Sequence, residues 1–337
     1  MKILGIESSC DECAAAVVEN GKQILGNVVA TQIPFHRTYN GVVPEIASRL
    51  HTEWISSVVR RSLEESGETV QSIDGIAVTN RPGLVGSLLV GVSFAKGMAL
   101  ALNKPLIGVD HIRAHLFAPH LEYEISYPYL GVLVSGGHTV ISRVDGFDDI
   151  TVMGTTIDDA CGEAFDKVAK YYDLGYPGGA AIDALSQKGD PLAFNFPDPS
   201  LHKGNHRYDV SYSGLKTAVI NQLDHFRNGT CAMSRENIAA SFQKAAVGML
   251  IKRIKRAVAD SGLHTIVAGG GVVANSLLRR ELQNIENTSV LFPSKELCTD
   301  NAAMIAGIGY HYFQRGDRSD LSLTASARVD AFRKIYP

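Results

Sequence analysis

The 337-residue sequence predicts an α/β fold of two similar lobes, each a mixed sheet packed by helices, with a cleft between them. Three observations predict it. Three strand-like runs open the chain, and three more restart near residue 129. After each trio, helices and strands alternate, which is the pattern of sheets covered by helices. A turn of small residues follows the first strand of each trio.

The first trio is Lys2–Ser8, Ala14–Glu19 and Gln23–Gln32, with a hairpin turn at Glu19-Asn20-Gly21-Lys22 between the last two. Pro44, a favoured first helical residue, starts a helix that runs to about Ser66 and is closed by Gly67. A strand at Ile73–Thr79, an apolar helix at Leu84–Leu102 and a strand at Pro105–Val109 follow. The apolar helix nears membrane-span length, but Lys96, its glycines and serines, and its place between strands mark it as a buried helix. In the second half the strands are Tyr129–Ser135, Thr139–Asp145 and Thr151–Thr155. Helical segments are expected at Asp158–Asp173, Ser213–Phe226 and Ser234–Asp260, then a strand at His264–Ala268. A helix at Asn275–Ile285, a strand at Ser289–Phe292 and a final helix from Thr299 to about Arg315 complete the order. Residues 176–212, rich in Gly, Pro, His and Asp, read as a loop-rich insertion.

Hydrophobic residues make up 45% and charged residues 20%, the balance of an ordinary globular protein. A net charge of −3 does not advertise a nucleic-acid binder. Basic contact would have to be local, at Lys252–Arg256 or at His202-Lys203 with His206-Arg207, and a solvated helix face is the simpler reading of each run. Met1-Lys2 leads straight into a short apolar run with acids close behind, so no signal peptide is expected. Five cysteines, an odd number, suggest a reducing cytoplasm and no disulfide framework. Cys10-Asp11-Glu12-Cys13 has redox spacing but lacks the following helix that such chemistry uses.

Four glycine or small-residue turns stand out. Glu7–Glu12 and Ser135-Gly136-Gly137-His138-Thr139 occupy equivalent places and could bring backbone N–H groups close to an anion, one nucleotide being held from both sides. Gly269–Asn275 formally satisfies a dinucleotide fingerprint but sits too late in the chain, so a loop against adenosine or ribose, with Asn275 as helix cap or ligand, fits better. Tyr176-Pro177-Gly178-Gly179 alone is a tight turn.

Asp158-Asp159 and Glu163, Asp166 and Lys167 are expected on one helix, where a Glu163–Lys167 pair on a solvated surface and ribose binding by a carboxylate are equally open. His111 and His115 lie one helical turn apart and project from one face. They read either as two histidines on an amphipathic helix or as a metal site, while His120, after Pro119, reads as a surface residue. Cys298-Thr299-Asp300-Asn301 opens the last helix with Thr299 or Asp300 at the cap. Asp300, in the second half, is also a candidate third ligand for the pair, since a two-histidine, one-carboxylate face leaves open positions on iron or zinc.

Taken together, several motifs resemble, essentially end to end, the tRNA threonylcarbamoyladenosine synthase family of the actin-like (ASKHA) superfamily. They are Ile6–Glu12, Gly41–Glu45, Pro82–Leu88, His111 with His115, Val134–Thr139, Glu163–Lys167, Tyr176–Gly179, Ser213–Thr217, Gly270–Asn275 and Cys298–Asn301. The resemblance implies two ribonuclease-H-like lobes, residues 1–125 and 126–298, with the final helix, about 299–325, packing back onto the first. It implies transfer of a threonylcarbamoyl group from threonylcarbamoyl-AMP to the N6 amine of adenosine 37 in tRNAs that read codons beginning with A. By motif match, His111, His115 and Asp300 would hold one divalent metal ion per subunit, iron or zinc. Leu133, Val134, Ser135, Gly136, Gly137, Asp166, Gly179, Asp183 and Asn275 would hold the adenylate, and Glu12 is the candidate base. The implied partners are tRNA, a paralogous ASKHA subunit (TsaB) and a small ATPase (TsaE), with no membrane. Arg113-Ala114 stand where the family has an acid and a glycine, Cys13 replaces a Thr, and Arg81 replaces a Gly. The rivals are a metallopeptidase and an ASKHA-fold kinase or ATPase. Ile112 removes the first, because that chemistry needs Glu directly after the first histidine.

Overall fold

A computed structural model of the chain describes residues 1–198, 206–221, 234–328 and 332. It divides into two units, Met1–Ser126 with Pro293–Ala331, and Tyr127–Phe292 with Phe332–Pro337. The fold is of the expected α/β class, and each unit is built on a five-stranded mixed sheet.

In the first unit the strands are β1 (Lys2–Glu7), β2 (Glu12–Glu19), β3 (Gln23–Thr31), β4 (Gly75–Arg81) and β5 (Leu106–Asp110). Their order is β3-β2-β1-β4-β5; the first three run antiparallel and β4 and β5 join parallel. Strand side chains alternate between faces, so Leu4 and Ile6 point one way while Gly5 faces the other. The Leu4 face packs on α1 (Pro44–Ser66) and α2 (Val85–Leu102) through Ile55, Val58, Val59 and Val92. Pro44 at the first turn and left-handed Gly67 just past the end bound α1 as the sequence predicts. Among the described residues α2 alone is long and apolar enough to cross a membrane; here it packs on α1 and β4. Leaving β5, the chain enters α3 (His111–Phe117), whose first N–H groups, of Ile112 and Arg113, are capped by Asp110 at 2.9 and 3.3 Å.

The second unit repeats the plan. Strands β6 (Tyr129–Val134), β7 (Thr139–Val144), β8 (Ile150–Thr155), β9 (Thr265–Gly269) and β10 (Ser289–Leu291) take the order β10-β9-β6-β7-β8, the first unit's order read from the other edge. The pairing pattern is the same, antiparallel for the hairpin strands and parallel for the two that follow. Its helices are α4 (Cys161–Tyr171), α5 (Gly178–Ser186), α6 (Tyr212–Asn221), α7 (Arg235–Ser261) and α8 (Ser276–Gln283). The last helix, α9 (Ala302–Arg315), returns to the first unit and covers the Gly5 face of its sheet.

Several expectations shift. Helix α4 starts at Cys161, so Asp158 and Asp159 precede it; Asp158 accepts from the N–H groups of Tyr212 and Ser213 and so caps α6. The segment 176–212 is not all loop, since α5 lies within it. The expected helix at 213–226 is described only to residue 221, and His202-Lys203 lies outside the described residues. The basic run on α7 exposes Lys252 and Lys255, which fits the simpler reading of a solvated face, and buries Arg253. Lys252 pairs with Asp198 at 2.8 Å, and Arg253 is fully buried, donating to the Asp209 carbonyl at 3.2 Å.

Candidate active site

Because Asp110 caps α3 at its first residue, His111 and His115 fall one turn apart on the same face. Their ring centroids are 4.5 Å apart and both side chains are buried. Asp300 comes from the second half of the sequence but belongs to the first unit, with the histidines. It does not cap the last helix. Asn301 does, accepting from Met304 N–H at 3.1 Å. Asp300 is thereby left to turn its carboxylate to α3, with Oδ1 3.0 Å from His115 Nε2 and 3.5 Å from His111 Nε2. The three candidate ligand atoms lie within 4.8 Å of one another, a set that could hold a metal ion.

The surroundings are strongly acidic. Glu7, fully buried at the end of β1, places Oε2 3.1 Å from His111 Nδ1. It also accepts from Thr79 Oγ1 at 2.5 Å and from Ser9 N–H at 2.6 Å. Burial alone would lower His111, yet Glu7 and Asp300 push it up to about 9. Burial would raise Glu7, yet His111 holds its carboxyl below the usual range. Glu12, the half-buried first residue of β2, is driven well above the usual carboxylate range by burial and by Asp11 and Asp300. Burial and the neighbouring acids raise Glu12, and Glu7 and Asp300 raise His111, so carboxylates are crowded here and a divalent cation would suit them. Two imidazoles and a carboxylate are also the donor set suited to iron or zinc.

His51, buried on α1, pins the Glu7–Glu12 turn by donating from Nε2 to the Cys10 carbonyl at 3.0 Å. Burial pushes the Cys13 thiol up to about 12, which disfavours its thiolate form. His120 is not an ordinary surface residue. It is half-buried and stacks on Phe117 with ring centroids 5.3 Å apart.

The other sequence-predicted residues lie in the second unit. Leu133 and Val134 are buried at the end of β6 and can offer only backbone to a ligand. Ser135 and Gly136 give their carbonyls to the N–H groups of Gly162 and Glu163, fastening the turn to the start of α4. Asp166 accepts from Gly178 N–H at 2.8 Å, and Asp183 accepts from Ser276 N–H at 3.1 Å and its hydroxyl at 2.7 Å. Asn275 caps α8 through Leu278 N–H and donates to Gln243 at 2.7 Å. Glu163 and Asp159 both pair with Lys167, so the salt-bridge reading of that motif holds for Glu163. Around Gly136, Gly137, Gly179 and Gly271 a Cβ would meet nothing within 4 Å, so the backbone is open to an incoming group. Gly270, at φ +92° and with room for no Cβ beneath the Val134 carbonyl, sets the turn that brings Gly271 there.

Sequence reasoning missed Thr79 and His51, and it placed Glu7 and Ser9 in an anion-binding turn without linking them to His111. One signal pointed to Glu7: it is an acid directly after the apolar run Ile3–Ile6.

Residues 23–307 match the family model described as tRNA N6-adenosine threonylcarbamoyltransferase (TsaD). The chain belongs to this family. A curated relative of that name from Treponema denticola is 64% identical over 334 residues, covering 99% of both chains. One from Treponema pallidum is 53% identical over 99% of this chain and 95% of its own, and one from Borrelia duttonii is 51% identical over 99% and 98%. The fold is also that of more distant solved structures. HypF from T. kodakarensis covers 93% of this chain and 48% of its own at a TM-score of 0.64 and 14% identity. The ROK hexokinase from Thermus thermophilus covers 94% and 100% at a TM-score of 0.52 and 17% identity. Members of the transferase family thus share their architecture with sugar kinases, and fold alone does not choose between the chemistries.

Proposed function

We propose that the chain transfers the threonylcarbamoyl group of threonylcarbamoyl-AMP to N6 of adenosine 37 in tRNAs reading codons that begin with A. The observation that carries this reading is the convergence of His111, His115 and Asp300 in a chain of this family. A kinase of the same fold would have no use for that trio.

The reaction forms a bond between N6 and the carbamoyl carbon, breaks the bond from that carbon to the phosphate oxygen, and releases AMP and the N6 proton. An exocyclic aromatic amine is a weak nucleophile and a carbamoyl carbonyl a weak electrophile. The chemistry that a bound metal supplies is polarisation of the carbamoyl or carboxylate oxygens, which stabilises charge developing in the transition state. His111, His115 and Asp300 would hold it, with iron proposed and zinc the alternative. Glu12 is proposed as the base that takes the N6 proton. Leu133–Gly137, Asp166, Gly179, Asp183 and Asn275 are proposed to seat the adenylate. The open glycines support this reading, since they allow close approach to the backbone, while the two aspartates and Asn275 keep the surrounding helices in place. Fixing both substrates in register would contribute at best about 7–11 kcal/mol. A paralogous ASKHA subunit (TsaB), a small ATPase (TsaE) and a cytoplasmic location are proposed from the family resemblance. The exposed apolar side of α2, with Val85, Leu89 and Leu100, is the proposed seat of the paralogue.

The test is transfer of labelled threonylcarbamoyl from threonylcarbamoyl-AMP to tRNA in vitro, with and without the partner proteins. His111→Ala should abolish transfer and leave the circular dichroism spectrum intact. Full activity of His115→Ala, together with no stoichiometric iron or zinc by metal analysis, would sink the site assignment.

A further inference from the structure

The two histidines of the metal site are held differently. His115 is buried on α3 with Nε2 3.0 Å from Asp300 Oδ1, and its Nδ1 has no hydrogen-bond partner. His111 is fixed by a carboxylate. Glu7 has no exposed surface, and each of its oxygens is engaged: Oε1 by Ser9 N–H, and Oε2 by Thr79 Oγ1 and by His111 Nδ1. His111 Nδ1 lies 3.1 Å from Glu7 Oε2 and 3.2 Å from Ser9 Oγ; an ionised carboxylate only accepts, whereas a hydroxyl can do either, so the Glu7 contact places the proton on Nδ1. That leaves Nε2, the atom facing Asp300 Oδ1 at 3.5 Å, as the nitrogen turned toward the site. The arrangement is built from three consecutive parts of the sheet. Glu7 ends β1, Thr79 stands on the neighbouring strand β4, and His111 follows β5. Burying a carboxylate this completely is costly unless its partners are fixed beforehand, and strand pairing fixes them.

We infer that Glu7, locked by Thr79 and Ser9, is the positioning residue that selects the ligating nitrogen of His111 and so sets the metal affinity of the site. The inference rests on the proposal that His111, His115 and Asp300 hold a metal. Glu7 touches neither substrate nor metal in this scheme; it acts through His111. Partners of this kind orient ligand imidazoles and raise their basicity. In Glu7→Gln one of the two oxygens becomes an NH2 group, which faces either the Ser9 N–H or both Thr79 Oγ1 and His111 Nδ1. If that NH2 faces His111, the ring must present Nδ1 as acceptor and protonate the nitrogen meant for the metal.

The experiment uses the full-length chain with zinc and with cobalt(II) as probes. Dissociation constants come from chelator competition, the coordination geometry from the cobalt visible bands, and the ligating nitrogen from ring 15N NMR of the zinc-loaded protein. Glu7→Gln is expected to weaken both metals roughly 10–100-fold and to change the cobalt bands, with the metal-free variant still folded by circular dichroism. Thr79→Val, which keeps the carboxylate but removes one of its donors, should weaken binding by less than about 10-fold. In the unaltered protein the NMR should show His111 protonated at Nδ1 and ligating through Nε2. This last measurement keeps the inference testable even if Glu7→Gln does not fold. Ligation through Nδ1, or a folded Glu7→Gln variant with unchanged affinity and cobalt spectrum, would overturn the role of Glu7. If the unaltered chain binds neither zinc nor cobalt, the metal reading falls first and this inference with it.

Discussion

Replacing Gly5 by alanine should damage the proposed metal site, although none of its residues stands against Gly5. Gly5 lies in the middle of β1 on the face that receives α9. A Cβ there would stand 2.3 Å from the Ala302 carbonyl oxygen, 2.7 Å from Ala306 N and 2.9 Å from Ala306 Cβ. Two of these atoms are helix backbone, so no side-chain rotation relieves the clash. Restoring ordinary van der Waals separation requires the first turn of α9 to retreat by at least about 1 Å. Asp300 lies two residues before that turn, with its carboxylate 3.0 Å from His115 and 3.5 Å from His111, so a shift of this size is enough to take it out of ligand range. Overpacking at a buried contact costs about 1–3 kcal/mol. For a unit of this size each kcal/mol lowers the thermal midpoint by roughly 2–4 °C. The assay is thermal unfolding of the metal-free protein alongside zinc competition. Gly5→Ala should melt several degrees lower and bind zinc at least about tenfold more weakly. Adding Ala306→Gly should not restore either, because the backbone atoms remain. Gly97→Ala serves as the control: it lies within α2 with nothing within 4 Å of its Cβ, and should stabilise by up to about 1 kcal/mol. If Gly5→Ala keeps both its midpoint and its zinc affinity, the close approach of α9 to β1 does not set the position of Asp300.

Burial, assisted by neighbouring His311, holds His120 down at about 4, below its usual value of 6.5. The folded state therefore prefers the neutral ring, so this contribution is present above pH 6.5 and is lost as pH falls from 6.5 towards 4, to a limit of about 3 kcal/mol. Urea unfolding at pH 7 and pH 4.5 should show a smaller loss of stability in His120→Gln than in the unaltered chain, and equal losses would refute the assignment. A Cβ at Gly137 would meet no atom within 4 Å, so Gly137→Ala should change stability by less than about 0.5 kcal/mol. If the adenylate lies against this turn, binding of a non-hydrolysable analogue should weaken by roughly tenfold or more, a loss of about 1.4 kcal/mol, and unchanged affinity would remove the turn from the substrate site.

The sequence by itself determined the duplicated plan, because its signals are local. Asn20-Gly21 makes a hairpin, Pro44 and Gly67 bound a helix, and apolar periodicity separates strands from helices wherever these occur. The i,i+4 spacing of His111 and His115 is local in the same way. The tertiary structure decided what could only be settled by competition and burial. Whether Asp300 caps a helix or meets the histidines depended on Asn301 taking the cap, and the two residues are equally able to do so on paper. Glu7 looked like one acid in a phosphate-type turn until strand pairing buried it against Thr79 and His111. His120 looked exposed until Phe117 stacked on it and His311 came close. In each case the side chain's chemistry was visible from the start. Its partner, and therefore its charge and its role, lay a few residues away in one case and about a hundred or more in the others, where only packing could bring the two together.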